Sequence, residues 1–281
     1  LASPDDATTS AVKALLGYPS ASTTTLAEGG HRLTVPLHDI GSAARLTLGN
    51  WRIRAARDEI LTRVALGQAP LPNWSGNPAA DRLIAAGLKQ ALTEMPAGQL
   101  ATWRTQISSA FTNDSRFADS VLLIARRLGD VVLYRQLATL APPRVAIDML
   151  RDIDLTLDPG QSLAVLDLVR SRDQLASAAI LATGRLQARY PDAKERLFTL
   201  LADARHGASA ASALARYGDT PEISRLGGVV LDADAGSARQ TAILALRLTA
   251  SPAARSELAR LASNPRLSLK LREEIEQWLA Q

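Results

Sequence analysis

Apolar and polar residues alternate near the start of the chain and recur at helical spacing through most of its remaining length. HRLTVPLHDI places Leu33, Val35 and Leu37 two apart, and ARLTLGNW repeats this with Leu46 and Leu48, with IGSA between them. A period of two is a strand pattern, so a small β-hairpin is predicted over 31–50. Pro36 confines its strand to an edge. Ahead of it, Ala7–Leu16 predicts a short helix, and PSASTTTLAEGG (19–30) predicts a flexible tether. From Trp51 the period becomes helical. Helices are predicted over 51–67, 78–94, 97–111, 116–128, 130–140 and 143–152. Pro, Gly, Asn and Asp break them at APLPNWSGNP (69–78), MPAG (95–98), TND (112–114) and APP (141–143). LTLDPG (155–160) is a further break, between an irregular helical region (51–158) and a more regular one (159–281).

The regular region repeats. Apolar segments end at Leu168-Val169, Leu200-Leu201, Val229-Val230 and Leu261-Ala262, and each leads to a polar turn residue: Ser171, Asp203, Asp232 or Asn264. All four are N-cap types, so each is expected to cap a following helix. The second helices, ASALARYGD (211–219), AILALRLTA (242–250) and EEIEQWLAQ (273–281), carry apolar residues at i, i+3 and i+4. A single such pair cannot bury its apolar stripe, so pairs must stack.

LDADAGSARQTAILALRL resembles the HEAT-like repeat in its bacterial form: an apolar helix ending near Asp232, a short turn, Arg239, then Ala242, Ala245 and Leu246. AASALARYGD (210–219) matches the tail of that motif, but Gly207 stands about where its Arg would be. The resemblance spans about residues 160–281 and is weaker over 51–158. It implies an all-α fold, an α-solenoid of stacked helix pairs, whose usual task is to bind another macromolecule. It brings no catalytic residues with it.

Composition agrees with helix and narrows the chemistry. Hydrophobic residues are 47% of the chain, mostly Ala and Leu, which favour helix over sheet. Basic residues number 32 against 28 acidic ones, and only Lys13, Lys89, Lys194 and Lys270 are lysines. The two signs are mixed throughout, which argues against the one-sided basic face of a nucleic-acid binder. There is no cysteine, which removes disulfides, thiolate metal sites and a cysteine nucleophile. No stretch reaches the roughly 20 apolar residues of a membrane span. The chain starts at Leu1 rather than Met and continues into a Ser/Thr-rich segment. The expectation drawn is a bacterial protein whose signal peptide has been removed, in the periplasm or attached to the cell envelope, with a cytoplasmic location as the alternative.

Each candidate for chemistry has a competing structural reading. DADAG (232–236) faintly suggests a calcium loop, but position 12 from Asp232 is Ile243, where a bidentate Glu is needed. A turn between packed helices fits better. Asp148, Asp152, Asp154 and Asp158 are the densest acidic group, yet Asp is also favoured in turns. His31, His38 and His206 accompany no nucleophile motif, and Gly227-Gly228 lacks the Lys-Ser/Thr of a phosphate loop. No catalytic residue, metal or cofactor is therefore assigned. Trp74 lies in LPNWSGNP, where it is either a binding anchor or a plug packed down on the loop. Arg239, Arg247 and Arg272 are the candidate polar contacts on a docking surface formed by the second helices. The expected function is a non-catalytic scaffold or protein-binding module with a protein partner. The alternative is a helical-repeat protein that binds nucleic acid or acts on a base, for which Trp103, Arg104 and Asp114 form the nearest grouping.

Overall fold

The computed structural model describes residues 4–18, 22–28, 30–36, 38–232 and 234–280. It is 75% helical with one two-stranded sheet, which makes the fold all-α with a minor hairpin. The chain divides into two compact units, 1–124 and 125–281.

The first unit holds α1 (Asp6–Ala14), β1 (Thr23–Glu28), β2 (His31–Pro36), α2 (Ile40–Ala65), α3 (Pro78–Glu94) and α4 (Ala97–Asn113). A 3₁₀ turn (Ser115–Phe117) leads into α5 (Ala118–Leu128), which runs through the boundary between the units. The hairpin exists, but not where the alternation placed it. β1 lies in the expected tether and pairs antiparallel with β2, Leu26 opposite Leu33. The expected second strand, around Leu46 and Leu48, is part of α2. Two alternating leucines are too few to separate period two from a helix. The Asp39 carboxylate decides the matter by accepting from the Ser42 amide at 2.8 Å and so capping α2. Leu37 lies outside the described residues.

α3 coincides with the predicted helix 78–94, started by Pro78 and by the Asn77 side chain, which accepts from the Ala79 and Ala80 amides at 2.9 and 3.2 Å. It packs on α2 through Gly87. A Cβ there would lie 2.6 Å from the Ala56 Cβ and 2.7 Å from the Ile53 carbonyl oxygen.

The second unit holds α6 (Val131–Leu140), α7 (Pro143–Leu150), α8 (Ile153–Thr156), α9 (Pro159–Arg170), α10 (Asp173–Leu186), α11 (Pro191–Leu200), α12 (Gly207–Tyr217), α13 (Thr220–Leu231), α14 (Ser237–Thr249), α15 (Pro252–Ala262) and α16 (Leu269–Leu279). The break at LTLDPG falls inside this unit, because α6 packs on α9 and α7 on α10 across it.

Consecutive helices pair: α6 with α7, α9 with α10, α11 with α12, α13 with α14, and α15 with α16. Second helices also pack on second helices, α7 on α10, α10 on α12 and α12 on α14. One contiguous core runs from Ile180 through Leu197, Leu214, Leu226 and Leu246 to Ile275. Close approach is possible because the contact residues are small. A Cβ at Gly184 of α10 would lie 2.8 Å from the Tyr217 ring of α12 and 3.1 Å from the Ala213 Cβ.

Proline marks where the first helix of each later pair begins. Pro159, Pro191, Pro221 and Pro252 lie in the first turn of α9, α11, α13 and α15. A missing N–H costs nothing there, since first-turn amides have no partner within the helix. The four polar turn residues do not cap the second helices as expected. Ser171 donates to the Leu168 carbonyl at 2.7 Å, and Asp203, Asp232 and Asn264 accept from amides two residues on, at 2.8 to 3.0 Å. They close the turn after each first helix. α16 is instead capped by Ser268, and α14 starts at Gly236 without a side-chain cap.

Gly87→Ala is expected to destabilise the first unit by about 1–3 kcal/mol through overpacking. Gly228→Ala, on the exposed side of α13 with nothing within 4 Å, is expected to stabilise by about 0.5–1 kcal/mol. Equilibrium urea denaturation of both variants checks the pair.

Candidate functional site

Among the described residues no group of three His, Asp or Glu side chains could hold a metal ion. Asp148 and Asp152 both face Arg126, at 3.3 and 2.9 Å, and Asp154 faces Arg185 at 2.7 Å. Three of the four aspartates are thus divided among arginines, and Asp158 stands just before α9 as its N-cap residue. Asp232, the first residue of DADAG, ends α13; Ala233 lies outside the described residues.

Trp74 belongs to the first unit, where its loop is fastened by a closed set of contacts. The indole meets Phe117 edge-on with ring centroids 5.3 Å apart, and Arg116 stacks over it at 4.3 Å. Arg116 also reaches Asp114 at 2.8 Å and the buried Asp81 at 2.6 Å. Asp81 accepts in addition from the Ser75 amide and hydroxyl, at 2.7 and 2.8 Å. Burial raises the Asp81 carboxyl, but the Ser75 donors and the Arg116 charge outweigh it and hold the group below its ordinary value. Asp114 is lowered as well, first by the hydrogen bond from Arg116. This arrangement ties Asp114 to Arg116 and Trp74, residues apart from its proposed grouping with Trp103 and Arg104.

The three candidate arginines lie in the second unit, on α14 and α16. Arg239 turns inward along its own helix pair. Its Nε donates to the Val230 carbonyl at 3.0 Å and its Nη2 to the Asp232 carbonyl at 2.6 Å, so it closes the C-terminal end of α13. Arg247 is exposed and stacks over Trp278 of α16 at 4.8 Å. Arg272 is half-buried, with its Nε buried and without a hydrogen-bond partner.

Between the start of α14 and the start of α16 lies a cleft of about 320 Å³. Arg239, Gln240 and Ile243 line it from α14, and Ser268, Lys270, Leu271 and Glu274 from the other side. Of the proposed residues only Arg239 lines this cleft. Gln240, Ser268 and Lys270 were not singled out by the sequence, because nothing in SLKLREE shows which earlier helix it will face. No family model, curated protein or solved structure matches the chain.

The two arginines of α14 are separable by substitution. Arg239→Met, which keeps the apolar stem and loses both carbonyl bonds, is expected to cost about 1–2 kcal/mol. Arg247→Met is expected to cost under about 1 kcal/mol, the size of an exposed cation–π contact. Thermal or urea unfolding measures both. In the first unit, carboxyls lowered by folding add stability above their unfolded values near 4, and that stability is lost as pH falls through the lower folded values. Subtracting the fluorescence of Trp74→Phe from that of the intact protein isolates Trp74. Its emission is expected to stay constant from pH 7 to about 4 and to move to the red only below that.

Proposed function

We propose that the chain is a non-catalytic scaffold that binds another protein through the second-helix side of its helix pairs, in the manner of a HEAT-like α-solenoid. The observation that supports this is the contrast between the first helices α9, α11 and α13 and the second helices α12 and α14. α9, α11 and α13 carry carboxylates and bases that pair with each other: Asp167 of α9 with Arg196 of α11 at 2.9 Å, Lys194 with Glu222, and Glu195 of α11 with Arg225 of α13 at 2.5 Å. The hydrogen bond from Arg225 holds the Glu195 carboxyl below its ordinary value. Charges so committed offer little to a partner. α12 and α14 contain no Asp or Glu. Their accessible positions are small, neutral or basic: Ala208, Ser209, Ser212 and Arg216 on α12, and Gln240, Leu244, Arg247 and Leu248 on α14. Small side chains lose little rotamer freedom on contact, and such a surface accepts another chain's side chains closely.

A photo-crosslinking side chain placed at Ser212 of α12 is expected to capture a distinct protein species in cells, and one at Thr199 of α11 is not. Equal labelling from both positions would remove the preference for the second helices. Tight binding to DNA that weakens steeply with salt would replace the protein partner with nucleic acid.

A further inference from the structure

We infer that the cleft between α14 and α16, with the face of α14 that leads from it, takes an extended acidic segment of the partner, carrying two carboxylates about 10 Å apart. This deepens the scaffold reading and rests on it. Two cations and two apolar side chains line the cleft. Arg239 is held at the wall by the carbonyls that end α13, so its charge is positioned before any ligand arrives. Lys270 is exposed, and no carboxylate pairs with it among the described residues. Ile243 and Leu271 supply the apolar part of the lining. The volume of about 320 Å³ suits one or two side chains rather than a whole small ligand.

From the cleft, Gln240, Leu244 and Arg247 continue along one face of α14 at spacings of four and three. Seven residues of helix advance about 10 Å. Arg247 therefore lies about 10 Å along α14 from Gln240 at the cleft, with Leu244 between. A segment in the polyproline II conformation covers about 9 Å in three residues and, with three residues per turn, returns residue i+3 to the face of residue i. The complement is a segment with acids at i and i+3, one directed at Lys270 and Arg239 and the other at Arg247, and an aliphatic side chain over Leu244. The absence of any acid from α14 means that no residue of that helix competes for its arginines. Glu274 lines the cleft on the α16 side and disfavours a segment with acids at every position.

The test uses the full chain and the blocked peptide acetyl-Leu-Glu-Leu-Ser-Glu-Leu-amide, fluorescently labelled and followed by anisotropy. A peptide with lysine at both acidic positions, and one with the acids adjacent, are the controls. The i, i+3 acidic peptide is expected to bind tightest and to weaken as salt is raised. Lys270→Glu and Arg247→Glu are each expected to weaken it by about fivefold or more, the scale of an exposed ion pair lost and reversed. Arg247→Gln, which removes charge without reversing it, is expected to give a smaller loss and guards against disturbance of Trp278. Equal affinity for the acidic and basic peptides, or binding unchanged in Lys270→Glu, overturns the inference. Those outcomes leave the scaffold reading standing if crosslinking at Ser212 still captures a protein. Loss of that crosslink alone overturns the scaffold reading and not the peptide affinity.

Discussion

The second unit depends on how short helices dispose of their last carbonyl groups. A helix of 10 to 14 residues, such as α6, α10, α11 or α14, leaves four carbonyls at its end without an intrahelical partner. When pairs stack, these ends are brought against other helices, and an unpaired buried carbonyl is costly. Side chains from later helices supply the donors. Arg172, just before α10, donates to the Ala138 and Ala141 carbonyls at the end of α6 at 3.0 and 2.8 Å. Arg185 of α10 bonds the Leu150 carbonyl at the end of α7. Thr241 and Ser237 of α14 donate to Leu201 and Ala202 at the end of α11, each at 2.7 Å. Arg239 does the same for α13. Several of these bonds cross from one pair to an earlier one, so they fix the pairs against each other as well as closing the helix ends.

Arginine suits this task better than lysine. A guanidinium presents five donors in a fixed fork, so one side chain can reach two carbonyls or a carbonyl and a carboxylate together. Arg185 does the latter, bonding Leu150 and Asp154. An ammonium on a flexible stem would order more rotatable bonds for each hydrogen bond made.

How far the fold could be read from the chain depends on the range of each interaction. Helix positions were legible because period, proline and glycine are local. The 78–94 segment and α3 coincide, and the apolar runs over 159–281 fall on helices. The hairpin was legible as an element and misplaced by about one strand, because TTTLAE carries little apolar alternation while ARLTLGNW carries some. The caps were misassigned for a different reason. Ser, Asp and Asn close turns after helices as readily as they open helices, and which they do depends on how many residues the turn contains. The prolines were the better register mark, since proline is excluded from helix interiors and fits only the first turn. Trp74 could not be resolved from LPNWSGNP alone, because Phe117 and Arg116, which hold it, lie some forty residues further along the chain.

The same distinction separates the arginines that hold the fold from those that face outward. Arg172, Arg185 and Arg239 sit at the beginnings of helices or against helix ends, where backbone carbonyls concentrate negative potential. Arg216 and Arg247 occupy equivalent positions in the last turns of α12 and α14, 31 residues apart, and each stacks on an aromatic ring: Tyr217 at 5.6 Å and Trp278 at 4.8 Å. A stacked guanidinium is restrained in position while its edge N–H groups remain directed outward. Restraint of that kind lowers the entropy lost when a carboxylate arrives, whereas an arginine already bonded to carbonyls would have to give up those bonds first. On energetic grounds the outward-facing, ring-stacked arginines are therefore the ones a partner can use, and the carbonyl-bonded ones contribute through their fixed charge.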